Sequence, residues 1–305
     1  MSPSHSPQPR GHDPRNFVVS DFWRQSFDPV AAPFGTYETS KLWNKVTQIA
    51  QSDDSAVLGG FVKKLQAPLL KSPKLLLDIL YGDLKLRLSP AYYSQERALI
   101  KGGRHPEEGD LRFLDGCKGQ TINFVDIGAN TGYYSLHAAK LSKPDSRIVA
   151  IEPDPRNSLK LAFHIQANAF QNRIERLETA IGDQQGTMVL NVPDERDFGQ
   201  NTLAPVAAGG RNGQAIEIPV QSLLEVLNEL QLQHIDYLKI DVEGYEDKAL
   251  LPFFTQAPRS LWPKQVLMEA KINETWERDV LAEMKSIGYE MVHESNDNIW
   301  LALSD

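Results

Sequence analysis

The chain is poor in cysteine and has no long apolar stretch. Its 305 residues contain one cysteine, Cys117, which excludes an internal disulfide framework and a zinc site built from several cysteines. No apolar run approaches the roughly 20 residues of a membrane-spanning helix, so we predict no membrane span. The first residues, MSPSHSPQPR, include no apolar segment of the secretory type. These absences favour a cytoplasmic protein.

Positive charge is scarce in the second part of the chain. The net charge is −8, but residues 1–120 carry 16 Lys+Arg against 13 Asp+Glu (+3), and residues 121–305 carry 16 against 27 (−11). Binding to nucleic acid requires clustered positive charge, so we predict no nucleic-acid partner. The excess of acid has two explanations that stay open. It is either ordinary solvation of the surface or a site that handles a cation or a metal.

The N-terminal part of the chain divides into a tail and an arm. Residues 1–15 are rich in Pro and Ser and lack periodicity, which predicts a disordered tail. Apolar residues recur at helical spacing near residues 42–49, and the apolar run at 75–80 continues that pattern. We therefore predict a helical N-terminal arm or lid over residues 16–120.

From residue 121 onward, short apolar runs alternate with amphipathic segments. Strands are predicted at 122–126, 147–152, 173–181, 187–192, 215–220, 235–240 and 266–269, with a closing hairpin at 289–293 and 298–303. Helices are predicted near 131–142, 155–169, 222–230 and 274–287, the last with Asn273 as its N-cap. This alternation predicts an α/β fold with a parallel sheet and a site at the carboxyl ends of its strands.

A glycine-rich turn lies between the first predicted strand and the first predicted helix. It reads Asp126-Ile-Gly-Ala-Asn-Thr-Gly, in which Gly128 permits a tight turn and Gly132 lets the helix begin close to a ligand. The spacing differs from the G-x-G-x-x-G of dinucleotide-binding proteins. Asp126 would repel a phosphate but suits a ligand with an ammonium and a sulfonium, such as S-adenosylmethionine. A purely structural strand–turn–helix is the alternative.

An acid also ends the second predicted strand. Glu152 follows Gly128 by 24 residues. A carboxylate at this place can accept both hydrogen bonds of a ribose diol. Alone, Glu152 could equally be a surface acid before Pro153, but the two signals at this separation support each other.

The third signal is an acidic turn after the strand at 235–240. Strand alternation places Lys239 and Asp241 on one face, and Glu243 can continue it. Asp241 or Glu243 can take a proton from a hydroxyl group. With Glu269, at the end of the next strand, they could instead bind a divalent metal through oxygen ligands, which is the lesser alternative.

These segments together resemble the FkbM-type methyltransferases of the class I S-adenosylmethionine-dependent group. The resemblance is carried by four segments in order: Phe124-Val-Asp-Ile-Gly-Ala-Asn-Thr-Gly-Tyr-Tyr-Ser, Ala150-Ile-Glu-Pro, Thr179-Ala-Ile-Gly-Asp and Leu238-Lys-Ile-Asp-Val-Glu-Gly-Tyr-Glu. It implies a Rossmann-like seven-stranded sheet, mostly parallel with an antiparallel last strand. It also implies methyl transfer to a hydroxyl of a sugar, glycan or natural product. It covers residues 121–305, the expected cofactor-binding domain, and leaves residues 1–120 unassigned.

The resemblance also implies roles for individual residues. Around the methionine part of S-adenosylmethionine we expect Asp126, Gly128, Asn130 and Gly132. Glu152 is expected at the ribose, and Ala180 and Asp183 at the adenine. Asp241 and Glu243 are the expected catalytic residues, facing the transferred methyl group and the acceptor. No residue is assigned as a metal ligand.

Two other classes of protein stay open. A nicotinamide-dependent, sugar-modifying oxidoreductase would share the strand–turn–helix and the ribose acid, but the missing glycine spacing argues against it. A non-catalytic binding protein would use residues 1–120 as its interaction module.

Overall fold

The structure, a computed structural model, describes residues 19–38, 68–192, 214–270 and 273–304. The predicted tail at 1–15 and the helical pattern near 42–49 lie outside the described residues. None of the helices in these four ranges is long and apolar enough to cross a bilayer. The cytoplasmic location stays a prediction.

The described N-terminal segments mix helix and strand. They comprise α1 (Asp21–Ser26), β1 (Leu77–Tyr81), β2 (Leu84–Leu88), α2 (Ser94–Gly102) and a 3₁₀ helix at Glu108–Cys117. The predicted helix over residues 75–80 is wrong, because β1 and β2 form an antiparallel hairpin that turns at Gly82. In β2, Leu84, Leu86 and Leu88 alternate with the charged residues Lys85 and Arg87, which is the period of a strand and not of a helix.

The remaining elements follow the predicted alternation closely. In chain order they are β3 (Asn123–Ile127), α3 (Tyr133–Leu141), β4 (Arg147–Ile151), α4 (Pro155–Ala167), β5 (Ile174–Leu177), β6 (Ala180–Ile181), β7 (Gly186–Val192), β8 (Gln214–Gln221), α5 (Leu223–Glu229), β9 (Tyr237–Ile240), α6 (Glu246–Gln256), β10 (Gln265–Glu269), α7 (Val280–Ser286), β11 (Tyr289–Glu294) and β12 (Asn298–Leu303). Further 3₁₀ turns lie at Arg259–Leu261 and Asn273–Thr275.

The main sheet has seven strands in the order β11-β12-β10-β9-β3-β4-β5. β3 is parallel to β4 and β9, and the same direction continues to β5 and β10. β12 runs antiparallel to both β10 and β11. The predicted α/β, Rossmann-like sheet with an antiparallel last strand is therefore confirmed.

Two predicted elements differ from the structure. The strand expected over 173–181 is split, because β5 belongs to the main sheet and β6 joins β8 and β7 in a separate three-stranded sheet. The helix expected over 274–287 begins later, at Val280. Its N-cap is Asp279, whose side chain accepts a hydrogen bond of 3.0 Å from the backbone N–H of Ala282. Asn273 begins only a short 3₁₀ turn.

Apolar side chains cover both faces of the sheet. On one face, Val125 and Ile127 of β3 belong to a cluster that includes residues of α5, α6 and α7. On the other face, Phe124 packs with α3, α4 and the N-terminal hairpin. Burying a side chain of this size stabilises the fold by about 1.5–3 kcal/mol. The N-terminal segments are thus part of the packed molecule.

Candidate functional site

The turn after β3 passes between the ends of two neighbouring strands. Gly128 and Ala129 donate backbone hydrogen bonds of 2.9 and 3.0 Å to the carbonyl of Ile151, at the end of β4. Gly128 has a φ of +73°, and a Cβ there would lie 1.9 Å from the carbonyl oxygen of Asp241, beyond β9. Only glycine fits this position.

A cavity, which we call the turn cavity, opens beside this turn at the carboxyl ends of β3, β4 and β9. Most of the residues predicted for the site line it: Gly128, Asn130, Glu152, Ala180, Asp241 and Glu243. The amide oxygen of Asn130 is buried and has no hydrogen-bond partner within the described ranges. An occupant of the turn cavity with a donor group would complete it.

The other predicted site residues lie outside the lining of the turn cavity. Asp126 is fully buried and accepts hydrogen bonds from the backbone N–H (3.1 Å) and hydroxyl (2.6 Å) of Ser135, so it holds the start of α3. Gly132 allows close packing of α3, because a Cβ would lie 2.4 Å from Leu161 Cδ1. Asp183 is exposed.

Glu152 is held in a fixed orientation. It is 5% exposed, and its Oε2 accepts a hydrogen bond of 2.8 Å from the backbone N–H of Asn130. Its Oε1 accepts from the backbone N–H of Asp154 at 2.9 Å and from Nδ2 of Asn157 at 3.3 Å. Burial, and secondly the charge of Asp154, raise the pKa of Glu152 to about 7. A buried carboxylate held in this way can accept hydrogen bonds from a diol.

A second cavity of about 510 Å³ adjoins the first, within the range of small-molecule sites. We call it the acidic cavity, because six carboxylate residues line it: Glu107, Asp110, Asp241, Glu243, Glu269 and Asp297. It shares Asn130, Asp241 and Glu243 with the turn cavity. These three residues therefore stand at the boundary between the two cavities.

Part of the acidic cavity comes from the N-terminal segments, which the sequence interpretation left unassigned. Glu107 and Asp110 lie before β3 and carry no local sequence signal of function. Burial raises the pKa of Glu107 to about 7, with a further rise from the charge of Asp241 and an opposing effect of Lys239.

Asp241, Glu243 and Glu269 come together as predicted. Each offers a carboxylate oxygen, and these atoms lie within 4.8 Å of one another. Burial, followed by the charges of Asp241 and Glu243, raises the pKa of Glu269 far above its ordinary value. Such a cluster can hold either a proton or a hard cation.

Lys239 contacts Gly128 and Asp241 at this boundary. The sequence alone gives it no role. Its Nζ donates a hydrogen bond of 3.0 Å to the Gly128 carbonyl and lies 3.4 Å from Asp241 Oδ2. The predicted shared face of Lys239 and Asp241 is thus confirmed. Burial would lower the pKa of Lys239, but the charges of Asp241, Asp126 and Glu107 outweigh it and raise the pKa.

Comparison with known proteins shows which family the chain resembles. Residues 126–298 match the methyltransferase FkbM domain. A curated relative, methyltransferase sdnD of Sordaria araneosa, is 30% identical over 156 residues, which are 41% of this chain and 58% of the relative. This chain therefore matches somewhat over half of that relative's length.

Two solved structures show a more distant likeness. Human methyltransferase 10 domain containing protein is 12% identical, with 80% of this chain and 95% of that one covered and a TM-score of 0.43. TrmK of M. capricolum, in complex with S-adenosyl-homocysteine, is 10% identical, with 63% and 66% covered and a TM-score of 0.36. Neither likeness bears on function. The match to the family domain spans more than half of the chain and contains the glycine turn, Glu152 and the acidic turn, so the chain belongs to the FkbM-domain methyltransferase family.

Proposed function

We propose that the protein is an S-adenosylmethionine-dependent methyltransferase that methylates a hydroxyl group of a sugar, glycan or natural product. The observation that carries this proposal is the boundary between the two cavities. Asn130, Asp241 and Glu243 line both. A donor in the turn cavity and an acceptor in the acidic cavity would meet there, and membership of the family supports the reaction type.

The residues of the turn cavity fit the donor. The amide oxygen of Asn130, which no described residue partners, can accept a hydrogen bond from the ammonium group of S-adenosylmethionine. Glu152 can accept from the ribose diol through Oε2, to which the described residues donate one hydrogen bond, and Ala180 can border the adenine. When bound, S-adenosylmethionine supplies a methyl group on a positively charged sulfur. Asp241 and Glu243 balance that charge from the boundary.

The remaining predicted contacts need a different role in this proposal. Asp126 acts through Ser135 and Lys239 rather than on the donor, and Gly132 acts through the packing of α3. Asp183 is exposed and lies outside the lining of the turn cavity. We keep Ala180 as the adenine contact.

The chain's own contribution to the transfer is alignment and proton removal. An alcohol is a poor nucleophile at neutral pH and must lose its proton as the new bond forms. Its oxygen forms a bond to the methyl carbon while the carbon–sulfur bond breaks, and the hydroxyl proton passes to a carboxylate. We assign this carboxylate to Asp241 or Glu243, of which Asp241 is held by Lys239 at 3.4 Å.

The acidic cavity limits the class of acceptor. Its lining contains six carboxylate residues and the guanidinium of Arg112, together with amides and hydroxyls such as Gln95 and Ser94. A neutral polyhydroxylated molecule or a cation suits this lining, and an anionic acceptor would be repelled. Residues between 93 and 112 form one wall, so we propose that this part of the arm predicted over residues 16–120 shapes the cavity.

The test uses methyl transfer from labelled cofactor to a cell extract, with mass analysis of the product. Wild type should label an acceptor, and Asp241→Ala and Glu243→Ala should lower the rate while S-adenosylhomocysteine still binds. Methyl transfer at the wild-type rate by both variants would contradict the assignment of Asp241 or Glu243 as the proton acceptor. Calorimetric binding of a nicotinamide cofactor in place of S-adenosylhomocysteine would favour the oxidoreductase, and an absence of any labelling would favour a non-catalytic binding protein.

A further inference from the structure

A residue that precedes the family match contacts a side chain that lines the turn cavity. Tyr93 lies between β2 and α2, is 3% exposed and borders the acidic cavity. Its hydroxyl donates a hydrogen bond of 2.7 Å to Oδ1 of Asn157, in α4. Asn157 lines the turn cavity. Tyr93 therefore connects the N-terminal arm to both cavities.

The bond from Tyr93 holds the amide of Asn157 between Tyr93 and Glu152, and the carboxylate of Glu152, which only accepts, selects the amide N–H group. The amide oxygen accepts from Tyr93, and Nδ2 faces Glu152 and donates to Oε1 at 3.3 Å. An ionised carboxylate can only accept, so this orientation suits the ionised form of Glu152. With the amide reversed, its oxygen would face the carboxylate and favour the protonated form.

The packing around Tyr93 keeps its hydroxyl in place. Nζ of Lys160 lies 3.9 Å from the centre of the tyrosine ring, and it also donates to Ser89 Oγ at 2.8 Å and pairs with Glu96. Lys160 and Asn157 both belong to α4. The N-terminal arm and α4 thus hold Tyr93 between them, which lowers the entropic cost of making the bond to Asn157.

We propose that Tyr93 is a positioning residue for the ribose of the donor. Its hydroxyl anchors the amide of Asn157 beside Glu152, and Asn157 presents an N–H group to the ionised carboxylate, which stays in place to accept from the ribose diol. This inference rests on the proposed function, because it requires an adenosyl ligand in the turn cavity. It makes the N-terminal arm part of the donor site as well as a wall of the acceptor site.

The test compares Tyr93→Phe with Tyr92→Phe, its matched control, in the full chain. Calorimetry measures the affinity for S-adenosylhomocysteine and, by competition, for adenosine and a dideoxy analogue that lacks both ribose hydroxyls. Tyr93→Phe should lower the affinity for S-adenosylhomocysteine and for adenosine about fivefold, as expected for the loss of one hydrogen bond. Its affinity for the dideoxy analogue should equal that of wild type, and Tyr92→Phe should match wild type throughout.

Asn157→Ala provides a second route if Tyr93→Phe folds poorly. It should weaken the binding of adenosine by a similar factor but leave the binding of the dideoxy analogue unchanged. Where Tyr93→Phe folds as wild type does, adding it to Asn157→Ala should cause no further loss.

Equal affinity of wild type and Tyr93→Phe for S-adenosylhomocysteine would overturn the inference and leave the proposed function standing. An equal loss for the ligands with and without ribose hydroxyls would also overturn it, because the effect would then be structural. If wild type bound no S-adenosylhomocysteine, the proposed function itself would fail.

Discussion

Lys239 and Gly128 are joined by a hydrogen bond of 3.0 Å from the lysine Nζ to the glycine carbonyl oxygen. This bond ties β9 to the turn after β3. The same Nζ lies 3.4 Å from Asp241 Oδ2 and 3.9 Å from Asp126 Oδ1. The buried ammonium group of Lys239 therefore contacts both the glycine-rich turn after β3 and Asp241, a proposed proton acceptor.

The first prediction concerns Lys239→Met. This change removes the cation and leaves the buried carboxylate of Asp126 uncompensated, which is typically destabilising by about 3–5 kcal/mol. We expect a loss of that order in the free energy of unfolding, measured by urea denaturation. The matched control is Lys264→Met, because Lys264 is 66% exposed and its pair with Asp236 should contribute less than about 1 kcal/mol. An equal effect of the two changes would contradict this role for Lys239.

The second prediction concerns Gly128→Ala. The added Cβ would meet the carbonyl oxygen of Asp241 at 1.9 Å, at a φ of +73°, so the turn must move. We expect S-adenosylhomocysteine binding to fall by more than about tenfold, measured by calorimetry. Gly102→Ala is the control, because a Cβ there has no atom within 4 Å and lies in a helix, where alanine is favoured. Unchanged binding by Gly128→Ala would show that the turn does not contact the donor.

The main sheet could be predicted from the sequence because most of its strands are short apolar runs next to a helix, and β11 and β12 form a closing hairpin. The N-terminal hairpin could not, because the run at 75–80 satisfies helical spacing as well as strand spacing. The only local signal was the alternation of Leu84, Leu86 and Leu88 in the following strand.

The sequence could predict that residues line one cavity where a motif and a strand end coincide, as at Gly128, Glu152 and Asp241, and their roles there stay a prediction. The inward position of Asp126 was missed, although strand alternation places it on the same face as Phe124, and both are fully buried. Tyr93 and Glu107 could not be predicted, since tertiary packing alone brings them to the cavities.

The third prediction concerns metal. Asp241, Glu243 and Glu269 could hold a divalent cation, but the raised pKa of Glu269 provides another way to relieve their repulsion, by retention of a proton. We therefore expect methyl transfer to survive exhaustive chelation. Glu269→Gln, which imitates the protonated acid, should also stay active. Loss of transfer after chelation, restored by added Mg²⁺, would instead assign the cluster to a metal.

The fourth prediction is a pH dependence of donor-site binding. A ribose diol donates to the ionised form of Glu152, whose pKa burial and Asp154 raise to about 7. Affinity for S-adenosylhomocysteine should therefore be highest well above pH 7. Below pH 7 the protonated form predominates, and affinity should fall by up to about tenfold per pH unit. With an ordinary glutamate pKa, the affinity would hardly change between about pH 6 and 8.

The control for this pH profile must separate Glu152 from Glu107, whose pKa is also about 7 and which lines the acidic cavity. Glu107→Gln should keep the pH dependence of S-adenosylhomocysteine binding. Glu152→Gln should bind more weakly and with little dependence on pH, because its amide cannot ionise. Calorimetry in buffers of matched ionic strength gives each profile. A flat profile for wild type, or one abolished by Glu107→Gln, would show that Glu152 does not hold the ribose.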